Sequence, residues 1–387
     1  MMRCGSERLR DVLRSGTTPE IWVRFPRLLG DVVFTLPFLG SLQRHWDPIA
    51  MEAGVDLRWI AVGHASGAAI FSEANPGFIA ESVIEANGAG KPGVGHLLQR
   101  WRKHRPAAVI NLSQSVRLAM AAWLARVPVR AGDVNNHLGF LYQYRFTYRD
   151  LPTAVVERFR PLLVQLTGTD DLRWMPITPD RFGGRGGMEK LAAAGWNGRP
   201  YVTLAFGTRG LPKRWFPEEE NWPALGRLLQ DRGYDVVWLG GPDDAQQGRA
   251  LSARVPGSYD LSGRTTIPEV CALQHAAAGN ISIDTGLAHT AAGSGRPTVM
   301  INGISPEPLI HPLGPITLTV RGPSVDTEAA SRTFETYGSS SFRIHPERIL
   351  NLLEALMRED AGVPPHSGSG LQSAEGSRFW APAPDRP

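Results

Sequence analysis

Short, mostly apolar runs alternate along the chain with longer stretches whose apolar positions recur at helical spacing. Ile21 to Phe25 (IWVRF), ended by Pro26, reads as a strand buried in a parallel sheet. After the turn PRLLGD, the segment DVVFTLPFLGSLQRHW has helical periodicity. Strands are predicted at Leu57 to Val62 and Ala107 to Leu112, with a helix over VRLAMAAWLARV. A Pro- and Gly-rich stretch, Arg173 to Gly187, reads as a linker. The alternation then restarts with strands at Tyr201 to Phe206, Asp235 to Gly241, Asn280 to Asp284 and Pro297 to Gly303. Helices are predicted over PEEENWPALGRLLQDRG, IPEVCALQHAA and TGLAHTAAGSG. HPERILNLLEALMRE (His345 to Glu359) is a last amphipathic helix. Strands separated by helices of this length mean βαβ units and a parallel sheet, here in two α/β halves. The expected organisation is a loose extension over 1–19, an N-terminal half over 20–180, a C-terminal half over 188–344, the helix at 345–359 and a disordered tail over 361–387.

Composition narrows the class. The chain has 387 residues, 42% of them hydrophobic and 20% charged, which suits a globular protein of two domains. Its two cysteines, Cys4 and Cys271, form no CxxC pattern and no disulfide framework, as expected in a reducing compartment. No run of about 18 apolar residues suggests a membrane span, and the first twenty residues are too charged for a secretory signal. Both features predict a cytoplasmic location.

Four places can carry chemistry. Gly30-Asp31 follows the first strand, where open α/β sheets bind ligands; Asp31 is either a helix cap or an acid aimed at the ligand. Thr208 to Trp215 (TRGLPKRW) brings Lys213 and two arginines to a strand end, suited to a diphosphate or else a solvated loop. It lacks the GxxxxGK[ST] of a Walker A loop. Asp284-Thr285-Gly286 ends one strand and opens a helix, presenting free N–H groups to a phosphate, with His289 one turn further on. An aspartic-protease reading of this DTG fails, because a helix follows and no second D[ST]G exists. Finally, the span from Lys91 to Arg130 holds eight Lys and Arg and no acid, in a chain whose net charge is only +4. It is either a solvated face or a field for an anionic acceptor or membrane surface. No nucleic-acid module accompanies it, and no His, Cys or acid cluster has metal-ligand spacing, so neither nucleic acid nor a metal is expected.

Three of these segments together resemble one family. RFPRLLGDVVFTLPFL, LPKRWFPEEENWPALGRLLQDRGYDVVWLGGPDD and SIDTGLAHTAAGSGRPTVMINGISP are similar, in order and spacing, to the signatures of the ADP-heptose:lipopolysaccharide heptosyltransferases, glycosyltransferase family 9. FSEANP and INLSQSVRLAMAAWLARVPVRAGD are weaker echoes, and the resemblance spans about residues 21–355. It implies a GT-B fold: two Rossmann-like domains with the active site in the cleft between them and the last helix packing back across the domains.

The resemblance further implies an inverting, metal-independent transfer with no cofactor, from a nucleotide sugar such as ADP-heptose to the lipopolysaccharide inner core. The acceptor would be an anionic glycolipid or saccharide, met in peripheral contact with the inner membrane face. By the same motifs, Asp31 would be the general base. Thr208, Arg209, Lys213, Asp244, Thr265, Asp284, Thr285, Gly286 and His289 would bind the donor, and Arg27 and Arg117 the acceptor. The chain departs from the family pattern at Arg209, at Phe216 and at Asn302-Gly303-Ile304, beside the expected donor pocket. A same-fold transferase for another nucleotide sugar and acceptor therefore stays open, as does a non-catalytic nucleotide-sugar binder. A dehydrogenase is disfavoured, since PRLLGD contains no G-x-G-x-x-G.

Overall fold

In a computed structural model the chain divides into two compact units, Met1–Met175 and Pro176–Pro387. The structure describes all residues except 1–2, 16–17, 64–69, 71–80, 85–92, 136, 148–153, 178–182, 209–212, 304, 306–309, 322–343 and 362–387. The FSEANP echo, Arg209 and nearly all of the expected tail thus lie outside the described residues.

The first unit opens with α1 (Gly5–Arg14), followed by β1 (Thr18–Arg24) and α2 (Leu29–Glu52). Strands β2 (Arg58–Gly63) and β3 (Glu81–Ile84) precede α3 (Val94–His104), β4 (Pro106–Asn111) and α4 (Val116–Leu124). The unit closes with β5 (Val129–Asp133), β6 (Tyr144–Phe146) and α5 (Arg160–Thr167). The sheet order is β3-β2-β1-β4-β5-β6, and every pairing is parallel.

The second unit runs α6 (Gly183–Ala193), β7 (Tyr201–Ala205), α7 (Glu218–Asp231), β8 (Asp235–Leu239) and α8 (Ala245–Ser252). It continues with β9 (Tyr259–Asp260), α9 (Ile267–Ala276), β10 (Gly279–Ile283), α10 (Gly286–Gly293), β11 (Thr298–Asn302), β12 (Thr317–Arg321) and α11 (Pro346–Asp360). Its sheet, β12-β11-β10-β7-β8-β9, repeats the order of the first and is also wholly parallel. This is the Rossmann order, which reverses direction between β1 and β4 in one unit and between β7 and β10 in the other.

The central strands are apolar on both faces because helices cover both: every residue of β4, β7, β8, β10 and β11 is buried. The second core gathers Phe206, Trp215, Trp222 and Trp238, with Trp215 and Trp222 edge to face at 5.1 Å. Helix α11 joins that core through Ile349, Leu350, Leu353 and Leu356, packing on α7 and on β10 to β12.

Two expectations need correction. The N-terminal segment is not loose, because Gly5–Arg14 is a helix. Leu9 and Leu13 bury one stripe of it, and the helix packs against α2 and α5. The Arg173 to Gly187 stretch is not a linker to its end, since α6 begins at Gly183. Its glycines serve close packing: a Cβ on Gly186 or Gly187 would meet Glu269 at 2.5 or 2.6 Å. The units also part earlier than residue 180, because Ile177 already donates its amide to the carbonyl of Gly293 at 2.7 Å.

Candidate active site

Both sheets bring their candidate residues to the carboxyl ends of the strands, where open α/β sheets bind ligands. In the second unit the centre is Asp284, just past β10 and 4% exposed. Lys213, reaching over from the loop after β7, donates to its Oδ2 at 2.6 Å. The Ser305 hydroxyl donates to the same oxygen, and His289 Nε2 stands 4.0 Å from Oδ1. The Lys213 ammonium is thus tied to the carboxylate. An ammonium has three N–H donors, and the Lys213 side chain keeps 36% of its surface exposed, so donors remain for an anionic ligand.

Thr285 is the N-cap of α10, its hydroxyl accepting from the Leu287 amide at 3.2 Å. Gly286 is the first residue of the helix, so the positive helix end lies beside the Lys213–Asp284 pair. His289, one turn in, is 4% exposed, and burial pushes its imidazole down to about 4 despite the attraction of Asp284. His311 is pushed to about 4 by its own burial and then by His289, while its ring nitrogens bond Thr319 Oγ1 at 2.8 Å and Thr317 Oγ1 at 3.3 Å. Both rings are neutral at pH 7.

Asp244 ends the short 3-10 turn Pro242–Asp244 after β8, and its Oδ2 accepts from the Gly241 amide at 2.8 Å. Its carboxylate lies against the Cα of Gly207, where a side chain would overlap it, and so sits next to Thr208 in sequence. Gly263 donates to the carbonyl of Gly240 at 2.9 Å, which brings the Thr265 loop to this same edge. The Thr265 hydroxyl is buried and has no hydrogen-bond partner among the described residues, leaving it available to a ligand. The second unit thus assembles Thr208, Lys213, Asp244, Thr265, Asp284, Thr285, Gly286 and His289 along one sheet edge.

In the first unit, Asp31 is the third residue of α2 and half-buried, while Leu28 occupies the N-cap. Asp31 thus stands in the first turn of the helix, three positions after the N-cap. Arg27 is exposed in the turn before it, and Arg117 is half-buried in the first turn of α4, which follows the neighbouring strand β4. Beneath them runs a polar chain. Arg24 Nε donates to Ser113 Oγ at 2.8 Å, and that hydroxyl donates to Asn111 Oδ1 at 2.9 Å. Asn111 Nδ2 donates to Tyr142 Oη at 2.6 Å and to the Ser115 carbonyl at 2.9 Å.

Several of these groups escaped the sequence reading. Ser305 lay inside the quoted INGISP segment, and Asn302 orients it by accepting from the Ser305 amide and donating to its carbonyl, both at 2.9 Å. Gln274 on α9 holds α10 in place, donating to the Leu287 carbonyl at 2.9 Å and accepting from Thr290 at 2.8 Å. Nothing in residue spacing pointed to Gln274 or to the Asn111–Tyr142 pair. Among the described residues, no three His, Cys, Asp or Glu side chains are placed to hold a metal ion. Cys271 is buried, and burial pushes its thiol up to about 12, which removes it from nucleophilic chemistry.

Two wholly parallel sheets of Rossmann order, each with polar side chains at its carboxyl edge, are the two halves of a GT-B fold. The model of glycosyltransferase family 9 (heptosyltransferase) matches residues 94–335, and the chain belongs to that family. It is 26% identical over 284 residues to lipopolysaccharide heptosyltransferase 2 of Salmonella typhimurium, covering 69% of this chain and 79% of that one. It is 27% identical over 307 residues to lipopolysaccharide heptosyltransferase 1 of Pseudomonas aeruginosa, covering 71% and 76%. Among solved structures, the fold matches E. coli ADP-heptose lps heptosyltransferase II with a TM-score of 0.71 at 21% identity, over 88% of this chain and 99% of that one. E. coli heptosyltransferase WaaC with ADP matches with a TM-score of 0.61 at 20% identity, over 87% and 99%. No helix among the described residues is long and apolar enough to cross a membrane.

Proposed function

We propose that this glycosyltransferase moves heptose from ADP-heptose to the inner core of lipopolysaccharide, in the cytoplasm at the inner membrane face. Transfer inverts the anomeric centre and uses neither metal nor cofactor. Asp31 takes the proton from the acceptor hydroxyl as its oxygen attacks the anomeric carbon. The bond from that carbon to the diphosphate oxygen breaks, and ADP leaves. A positioned base contributes about 10²–10⁴-fold. Charge building on the diphosphate meets Lys213 and the positive end of α10 at Thr285 and Gly286, and preorganised donors of this kind contribute at least as much. Asp244 accepts from the ribose hydroxyls, Thr265 meets the adenine, and Thr208 and Arg209 line the diphosphate loop. Arg27 and Arg117 hold anionic groups of the acceptor.

The observation that carries this reading is the Lys213–Asp284–Ser305 cluster beside the α10 N-terminus. It fixes an ammonium on a buried carboxylate beside the positive end of a helix, which is what a leaving diphosphate requires. A second reading, a different nucleotide sugar, is favoured by the Asn302–Ser305 turn, which replaces the family's common residues directly beside Asp284.

A thermal-shift panel of ADP, UDP, GDP and dTDP separates the two. A ligand at about 100 times its Kd adds about 2.7 kcal/mol to stability. A shift with ADP alone supports the heptose reading, and heptose-free lipopolysaccharide is then the acceptor to assay. A shift with another nucleotide alone overturns the sugar assignment and keeps the fold. No shift with any of them supports the non-catalytic binder.

A further inference from the structure

One oxygen of Asp284 serves two donors. Its Oδ2 accepts from the Lys213 ammonium at 2.6 Å and from the Ser305 hydroxyl. The two donors differ in how firmly each is held. Lys213 stands on a flexible four-carbon stem, and its side chain is 36% exposed. Ser305 is 7% exposed, and a single torsion places its hydroxyl oxygen.

A clamp holds the Ser305 backbone. Asn302, fully buried at the end of β11, accepts from the Ser305 amide through Oδ1 and donates to the Ser305 carbonyl through Nδ2, both at 2.9 Å. Both polar ends of one side chain thus close on one residue. The strands set the clamp in turn: Ile301 pairs with Ile283 in parallel register, and the Asp284 amide donates to the Ile301 carbonyl at 3.2 Å. The serine and the carboxylate it touches therefore hang from the ends of two paired strands.

The carboxylate needs such a hold. The Cβ–Cγ bond of an aspartate turns in a broad well, so its rotamer alone does not fix its oxygens. On the Oδ1 side stands His289, with Nε2 at 4.0 Å, too far for a hydrogen bond. Burial keeps that ring neutral at pH 7, so it adds no charge to hold the carboxylate. A lysine on a mobile stem does not fix the group it pairs with. A clamped hydroxyl does, through a hydrogen bond of the strong charge-assisted kind.

We propose that Ser305, clamped by Asn302, is a positioning residue for stabilisation of the leaving group. It locks the Asp284 carboxylate, and the locked carboxylate holds the Lys213 ammonium where charge develops on the departing diphosphate. The proposal rests on the role of Lys213 given above and adds the two residues that preorganise that lysine.

The test is a double-mutant cycle between Ser305 and Lys213 in the full chain. It is read by calorimetric titration with ADP, or with UDP, GDP or dTDP if one of those stabilises the parent instead. Initial rates with ADP-heptose and heptose-free lipopolysaccharide give kcat and the acceptor KM. Ser305→Ala should weaken nucleotide binding severalfold and lower kcat about tenfold, with the acceptor KM unchanged. Ser305→Cys nearly keeps the volume but offers only a weak donor, so it should lose as much. Ser305→Thr keeps the hydroxyl and should recover most of both losses. Asn302→Ala opens the clamp and should move the same two quantities in the same direction. In the Lys213→Ala background, Ser305→Ala should cost nothing further, because its effect passes through the lysine. A merely structural serine would cost the same in both backgrounds.

Parent rate and nucleotide affinity in Ser305→Ala and Ser305→Cys would overturn the proposal. So would equal losses with and without Lys213. Tighter nucleotide binding on loss of the hydroxyl would also overturn it, by making Ser305 a competitor of Lys213 for the carboxylate. Two results would strike the underlying reading instead, and the proposal with it. Lys213→Ala with unchanged rate and affinity would remove the role of the lysine, and failure of all four nucleotides to bind the parent would remove the donor site.

Discussion

At the carboxyl edge of the second sheet, opposite charges are in direct contact: Lys213 on the buried Asp284, with Ser305 on the same carboxylate oxygen. At the matching edge of the first sheet, charged and neutral groups alternate. Arg24 is joined through Ser113 and Asn111 to Tyr142, and the buried Asp133 accepts from the Asn135 amide at 2.9 Å. Above that chain Asp31 and Arg117 stay half-buried and Arg27 exposed. Two sheets of one topology therefore differ in preorganisation. The second holds its cation fixed before any ligand arrives, whereas the first provides a rigid polar floor under side chains that still face water.

The comparison is tested most severely at Asp31. Asp31→Asn keeps the shape and removes the base, so kcat is expected to fall about 10²–10⁴-fold. Because the two edges belong to different units, the ADP thermal shift should stay within error of the parent. A variant that keeps full turnover would remove the base assignment.

Lys213→Ala comes next and should behave differently. It withdraws charge from the leaving group, so kcat/KM is expected to drop about 10²–10³-fold. It also leaves Asp284 buried without its cation, and a melting point below that of the parent should accompany the lost rate. An unchanged rate would mean that the Lys213–Asp284 pair is only structural.

The two buried imidazoles give the second unit its own pH dependence. His289 and His311 sit near 4 in the folded chain, against about 6.5 when unfolded. Between those values the unfolded chain binds more protons, so stability rises with pH. It is complete above about 6.5, falls as the pH drops from there toward 4, and levels off below. From pH 7 to pH 5 the loss should reach about 2 kcal/mol for each ring. Urea unfolding followed at the two pH values measures this, and His311→Asn should roughly halve it. A flat profile would show that the rings are not buried as neutral groups.

How much of this was legible in the sequence depended on range. The central strands announced themselves because burial on both faces demands uninterrupted apolar runs, as in Ala107 to Leu112. Edge strands did not: β3 begins with Glu81, β6 is three residues with Arg145 in the middle, and β9 is only Tyr259–Asp260. Helix α6 hid behind GGRGG, whose glycines permit close approach to Glu269 rather than marking a linker. At the site, motif residues stood out because they cluster in sequence. Ser305 on Asp284, Gln274 on α10 and Asn111 on Tyr142 are contacts between residues 13 to 31 positions apart, and no local pattern encodes them.

Tyr142→Phe probes the floor of the first edge and should have the smallest effect. Gly132 leaves room for this ring, since a Cβ there would lie 2.5 Å from it, and the hydroxyl accepts one of the two Asn111 amide hydrogens. Removing that oxygen leaves a buried N–H unpaired, worth about 1 kcal/mol, or about 2–4 °C in the melting of a unit this size. Asn111 also accepts from the Ser113 amide at 3.2 Å and so sets the chain leading into α4 and Arg117. A slackened Asn111 should therefore raise the acceptor KM severalfold while kcat and the ADP shift hold. Equal losses at donor and acceptor would mean that the floor supports more than its own edge, and the contrast between the two sheets would have to be redrawn.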